Sequence, residues 1–184
     1  MAVVDERTDR RVGATGDSRR DAFTALVRRH DARLRGLAAK LLAGDRSRVD
    51  DVLQEAYVRA YRALPDFRGE ADLGSWLYRI TYNACIDELR RAKRRPHPVD
   101  TATPGWDRPT AEAGPERQVG TADTVARALA ALPEDQRATV VLVDGEGFDS
   151  VSAARILGVA PGTVASRLSR ARAAMRRALG EDDR

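Results

Sequence analysis

From Asp21 onward the chain has apolar positions at a helical period. Phe23, Leu26, Val27, His30, Leu34, Leu37, Ala38 and Leu41 recur at steps of three and four residues, which sets them on one face of a helix ending near Gly44. A second stripe follows between Asp50 and Leu64. Val52, Leu53, Ala56, Tyr57, Ala60 and Leu64 turn inward, while Asp51, Glu55, Arg59 and Arg62 turn outward. Asp50 and Asp51 suit the first turn of this helix, where carboxylates meet free backbone amides, and Pro65 stops it. The segment "DFRGEADLGS" reads as a loop, after which Trp76, Leu77, Ile80 and Ala84 open a third helix ending in a basic run. Three amphipathic helices of this kind can close a small core.

Periodicity is absent from residues 1–20, which are expected to be a disordered tail, and again from 96–120. The second gap holds Pro96, Pro98, Pro104, Pro109 and Pro115 and is too long for a loop inside a compact domain, so it reads as a linker. Beyond it, Val125, Ala128, Leu129 and Leu132 form a short helix. Pro133 opens the next, which carries Val140, Val141 and Val143 and breaks at Gly145 and Gly147. The expected fold is all-α, with two small helical domains at 21–95 and 121–180 joined by a Pro-rich linker.

The end of the chain has the pattern of a helix-turn-helix. Val151, Ala154, Ile156 and Leu157 supply a bracing helix, "LGVAP" a tight turn, and Pro161–Leu179 a second helix whose inner stripe is Val164, Leu168, Ala171, Met175 and Ala178. Thr163, Ser166, Arg167, Ser169, Arg170 and Arg172 are left outward, a set of donors and cations suited to phosphates and purine edges. Ala160, just before this helix, lacks a side-chain acceptor for the free amides of its first turn.

Composition narrows the partners. Of 184 residues only 5% are aromatic and 33% are charged, which favours small Leu, Val and Ala cores over a large sheet. The net charge of +4 is unevenly spread. Arg90, Arg91, Lys93, Arg94 and Arg95 form one basic run and Arg167 to Arg177 hold another, while Asp45, Asp50, Asp51 and Glu55 form an acidic counter-region. Two separated basic sites point to contact with a polyanion at two places.

A single cysteine, Cys85, excludes an internal disulfide and a thiolate zinc site. His30 falls on the apolar face of the first helix and His97 between two prolines, so no metal or cofactor is expected. The acidic pairs Asp50–Asp51 and Asp87–Glu88 do not converge on one ion, because adjacent helical residues point about 100° apart. Catalysis is therefore not expected. Nothing resembles a signal peptide or a membrane span, so the expected location is the cytoplasm, without membrane insertion.

Two stretches carry a family resemblance. "ALAALPEDQRATVVLVDGEGFDSVSAARILGVAPGTVASRLSRARAAMRRAL" resembles region 4 of the extracytoplasmic-function (ECF) sigma factors of bacterial RNA polymerase, in the sigma-70 superfamily. "DDVLQEAYVRAYRALPDFRGEADLGSWLYRITYNACIDELRRAKRR" resembles their region 2. The two fall in family order with a linker between them, and "DDVLQEAYVRAYRAL" and "GTVASRLSRAR" are their most specific parts.

The resemblance implies a protein that binds core RNA polymerase through the beta-prime coiled coil and the beta flap. It further implies recognition of minus-ten and minus-thirty-five promoter elements, opening of the DNA, and control by an anti-sigma factor. Carried over by position, Asp51, Gln54, Glu55, Arg59 and Arg62 would face the coiled coil. Phe67, Gly69, Glu70, Ala71, Asp72 and Leu73 would line the pocket for a base flipped from the non-template strand. Arg79, Tyr82, Asn83, Arg90, Arg91 and Arg94 would hold the minus-ten DNA, and Thr163, Ser166, Arg167, Ser169, Arg170 and Arg172 the minus-thirty-five element. Ala165 stands where many relatives carry Lys or Arg, and Ser152–Ala153 replaces a frequent Glu-Ile pair, so the upstream base preference departs from the family pattern. The alternative is a stand-alone helix-turn-helix regulator, which would bind a palindromic duplex without polymerase.

Overall fold

A computed structural model describes residues 16–42, 45–69, 72–94 and 121–180, and every regular element among them is helical. In the first half, α1 spans Gly16–Leu41, α2 Arg46–Ala63 and α3 Leu73–Arg94, with a 3-10 turn at Leu64–Asp66 between the last two. In the second half, α4 spans Thr121–Ala131, α5 Glu134–Val140, α6 Ser150–Leu157 and α7 Pro161–Leu179, with a π-helical turn at Val141–Gly145 after α5.

Three helix starts lie earlier than the apolar pattern placed them. Residues 16–20, expected in the disordered tail, belong to α1; they carry no apolar side chain, so no periodicity marks them. Residues 1–15 and Gly44 lie outside the described residues. Helix α2 starts at Arg46 because Asp45 caps it, its carboxylate accepting the Arg48 amide at 3.2 Å, and Asp50 instead pairs with Arg35 of α1. Helix α3 starts at Leu73 because the Asp72 carboxylate accepts the Ser75 amide at 2.8 Å. These caps are polar signals that a hydrophobic stripe does not contain.

The helix-turn-helix has its expected parts. Asp149 caps α6 by accepting the amides of Val151 and Ser152, each at 2.8 Å. Gly158 ends α6 at φ +67°, a left-handed conformation that glycine adopts without a Cβ clash, and Pro161 opens α7. Ala160 makes no side-chain cap, as its composition dictates. Val125, Val151 and Ala178, part of the apolar stripes, are exposed, while α6 buries Ala153 beside the expected Ala154, Ile156 and Leu157.

The halves do not keep separate cores. One continuous apolar cluster runs from Leu34, Leu37, Leu53 and Leu77 to Leu142, Ile156 and Val164. A smaller cluster of Leu132, Val140, Leu168 and Ala171 closes α7 onto α4 and α5. The buried Arg137 of α5 crosses between halves. Its guanidinium donates to the carbonyl of Leu41 at 3.1 Å and to those of Ala130 and Leu132 at 2.8 and 3.0 Å, satisfying helix-end acceptors of both α1 and α4. His30 is half-buried, edge-on to the Tyr78 ring at 6.3 Å, a core-boundary position. Cys85 is buried and its thiol pushed up to about 12 by desolvation, so it remains protonated and inert. The expected linker lies outside the described residues.

Candidate polymerase and nucleic-acid interfaces

Helix α2 buries Val49, Val52, Leu53, Ala56 and Ala60, which leaves an opposite face for a partner. Asp51, Gln54 and Arg62 are exposed on it. Helical spacing aligns them with Val58 and Tyr61, which are 43% and 42% exposed. The apolar stripe does not include these two, which sit among charged outward positions; their signal is a large apolar side chain on the polar face. Tyr61 is braced edge-on by Phe23 of α1, ring centroids 5.3 Å apart.

Glu55 and Arg59, outward in the stripe pattern, are half-buried and engage partners on α3. Glu55 accepts from both terminal nitrogens of Arg91 at 3.2 Å and from Arg59 at 2.6 Å, and Arg59 reaches Asp87 at 2.8 Å. The Arg91 hydrogen bonds, with Arg59 behind them, hold the Glu55 carboxyl below its usual range against the opposing effect of burial. A charge ladder thus ties α2 to the basic end of α3. Arg91 is engaged there, while Arg90 and Arg94 are exposed and make no ion pair among the described residues.

The loop before α3 borders a cavity of about 580 Å³ lined by Asp66, Phe67, Arg68, Ser75, Trp76, Arg79, Arg155 and Ile156. Phe67 and Trp76 lie tilted with ring centroids 5.3 Å apart, and Arg68 and Arg79 line the same cavity. Unstacked bases need this combination of an aromatic face with nearby cations. Gly69 turns the loop at φ +74°. Asp72 is exposed but spends one carboxylate oxygen on its cap, and Glu70 and Ala71 lie outside the described residues. Leu73 does not line the cavity: it is buried in the core, where its apolar chain anchors the first turn of α3. Further along α3, Asn83 is exposed and Tyr82 half-buried. Burial raises the Tyr82 hydroxyl pKa, opposed by the nearby Arg167.

On α7, Ser166, Ser169 and Arg170 are exposed and Thr163 is half-buried. Arg170 lies back along the helix, its Nε donating to the Ser166 carbonyl at 3.1 Å. Two of the expected outward cations are engaged instead. Arg167 is only 21% exposed and pairs with Asp135 at 3.0 Å, and Arg172 forms a two-point pair with Asp144 at 2.6 and 3.0 Å. Both acids come from α5 and the turn after it, which pack against α7 and which a helical stripe read along α7 alone does not include.

Among the described residues no cluster of three or more His, Cys, Asp or Glu is arranged to hold a metal, and no helix is long and apolar enough to cross a membrane. Comparison with known proteins matches residues 26–95 to the sigma-70 region 2 family and residues 122–175 to the sigma-70 region 4 family. The ECF RNA polymerase sigma factor SigM of Mycobacterium tuberculosis is 47% identical over 162 residues, covering 88% of this chain and 79% of that protein. The ECF RNA polymerase sigma-E factor of Escherichia coli is 34% identical over 166 residues, covering 84% of each. Among solved structures, the sigma factor RpoE in complex with the anti-sigma factor NepR from Bartonella quintana superposes with a TM-score of 0.67 at 26% identity, over 92% of this chain and all of that one. CnrH in complex with the cytosolic domain of CnrY gives 0.63 at 28% identity, over 89% of this chain and 91% of that one.

Proposed function

The chain belongs to the ECF sigma factors of RNA polymerase, and from that membership we propose how its surfaces divide the work of initiation. It joins core polymerase, recognises two promoter elements and promotes opening of the DNA. It acts in the cytoplasm and by binding alone, with no chemical step of its own. The α2 face of Asp51, Gln54, Val58, Tyr61 and Arg62 docks on the beta-prime coiled coil, the two apolar side chains giving buried area and the polar ones register. Glu55 and Arg59 set the edge of that face through their ladder to α3. The solved relatives RpoE and CnrH are each held by another chain, NepR and the cytosolic domain of CnrY, and an anti-sigma factor is the corresponding partner here.

The observation that carries this division is the chemical difference between the two DNA-facing surfaces. Phe67, Trp76, Arg68 and Arg79 offer aromatic faces and cations around a cavity, which suits bases already out of the stack. Arg79, Asn83, Arg90 and Arg94 continue along one side of α3 toward the adjoining phosphates. Helix α7 instead presents Thr163, Ser166, Ser169 and Arg170 on a rigid rod, which suits edges in an intact major groove. A duplex-binding regulator needs the second surface and has no use for the first.

A mobility-shift series with promoter duplex separates these readings. The expected result is weak binding by the chain alone and tight, sequence-dependent binding when core polymerase is added. Tight binding to a palindromic duplex by the chain alone, unchanged by core, would assign it to the regulators.

A further inference from the structure

The cavity beside the loop before α3 holds more positive charge than its own walls balance. Arg68 of the loop, Arg79 of α3 and Arg155 of α6 line it with a single acid, Asp66, and none of the three guanidiniums forms an ion pair or side-chain hydrogen bond among the described residues. Arg155 meets Asp149 only through its longer-range field. Arginines elsewhere that reach another element are matched there: Arg33 with Glu146 at 3.1 Å, Arg59 with Asp87 at 2.8 Å, Arg167 with Asp135 at 3.0 Å and Arg172 with Asp144 at 2.6 Å. Cations that share one space without an anion repel one another, and an anion entering that space relieves the repulsion.

The rest of the lining is apolar and aromatic. Phe67 and Trp76 lie with ring centroids 5.3 Å apart, and the buried Ile156 adds an aliphatic surface. At about 580 Å³ the cavity falls within the range of small-molecule pockets, about 300–1,000 Å³. Arg79 and Arg155 also line a second hollow of about 450 Å³ with Val151, Gly158 and Pro161, so these two side chains stand where the two spaces meet.

These features select a ligand by elimination. Three positive charges and one negative leave a surplus of two, which a phosphomonoester, at about −1.5 to −2 near neutral pH, matches. Inorganic phosphate alone leaves the aromatic surface unused, and an uncharged nucleoside leaves the guanidiniums unmatched. An aromatic base joined to a phosphate uses both, with Asp66 left to accept the hydroxyls of a ribose.

We propose that this cavity is a binding site for a free nucleoside monophosphate, its base against Phe67 and Trp76 and its phosphate on Arg68, Arg79 and Arg155. Binding stands on the cavity alone. Its consequence rests on the sigma-factor function above: the same aromatic pair takes promoter bases, so a bound nucleotide and an unstacked base exclude one another. Arg155 separates the two sources of such a base, because it belongs to α6 and has no part in the minus-ten surface.

The test is calorimetric titration of the full chain with adenosine 5′-monophosphate, and separately with adenosine and with inorganic phosphate. The monophosphate is expected to bind saturably and one-to-one, with the two fragments each weaker by at least about tenfold. Arg155→Ala is expected to weaken the monophosphate by about tenfold, the loss of one charged hydrogen bond, and to keep its helix content because the side chain is exposed and unpaired. Arg68→Ala is the second variant and carries the same expectation. Phosphate binding as tightly as the monophosphate would reduce the site to an anion contact and overturn the proposal. Unchanged affinity in both folded variants, or no saturable binding at millimolar monophosphate, would overturn it as well. Loss in Arg68→Ala but not in Arg155→Ala would assign the binding to the promoter-base surface and not to a free nucleotide site. A chain that binds the monophosphate but never supports initiation with core would remove the sigma-factor function and leave the site standing.

Discussion

Glu55 on α2 accepts hydrogen bonds from both terminal nitrogens of Arg91 on α3, so the proposed polymerase-docking helix and the basic end of the proposed DNA-binding helix share a charge. While this pair persists, Arg91 is neutralised by its own fold. Replacing Glu55 with Gln leaves Arg91 only its longer contact to Glu88, at 3.5 Å, and turns it toward phosphates. Non-specific DNA affinity should rise, and the slope of log K against log salt should steepen by about 0.9, one extra phosphate contact. Folding stability should fall only slightly, since the pair is largely solvated and screened. Salt-dependent binding titrations check both, and an unchanged slope would mean Arg91 never reaches DNA.

Phe67 and Trp76 are expected to hold unstacked bases. Phe67→Ala should weaken binding of the holoenzyme to single-stranded minus-ten DNA by about 1–3 kcal/mol per stacked base while leaving upstream duplex binding unchanged. Permanganate reactivity of thymines in the open complex follows the same step. Equal loss of duplex binding and opening would contradict a base-capturing role.

On α7 the exposed Arg170 and the paired Arg167 should behave differently. Arg170→Ala is expected to cost about 1–3 kcal/mol on promoters with the preferred upstream element and little on a scrambled one. Asp135→Asn removes the partner of Arg167 and should strengthen upstream binding, because the freed guanidinium becomes available. Competition binding with the two templates measures each. A loss uniform over sequence would make Arg170 a phosphate contact.

Asp149 gives a pH-dependent test of the helix-turn-helix. Its carboxyl is held below the ordinary value by the Ser152 amide first, then by the Ser152 hydroxyl and the Val151 amide. A lowered folded pKa means the contribution is complete above the unfolded value and disappears as pH falls through the folded one. Asp149→Ala should cost about 0.5–2 kcal/mol at neutral pH, seen as a Tm lower by several degrees, about 2–4 °C per kcal/mol. The difference should narrow in acid. A gap that persists below the carboxyl range would place the effect elsewhere than in the cap.

The helical fold and the order of its elements were legible because apolar spacing records burial directly. Leu34, Leu37, Leu53, Leu77, Val164 and Leu168 all lie where the stripes placed them. Helix starts were less so, since Asp45 and Asp72 act through one carboxylate oxygen and leave no period. Arg167 and Arg172 read as free cations because a helical projection shows which way a side chain leaves its own helix, not what another helix brings to meet it. Glu146 was hidden for the same reason: in "DGEGF" it looks like a solvated loop acid, and only the packing of the halves reveals Arg33, Lys40 and Tyr78 around it. Val58 and Tyr61 are visible in the sequence as apolar residues on a polar face.

Run-off transcription with bacterial core polymerase on a library of promoter fragments, with and without this chain, decides whether it initiates transcription. Chain-dependent transcripts from fragments sharing two elements about 25 base pairs apart are expected, the separation that follows from their minus-ten and minus-thirty-five positions at about 3.4 Å per pair. An absence of transcripts with a cognate core, alongside sequence-specific duplex binding by the chain alone, would contradict it.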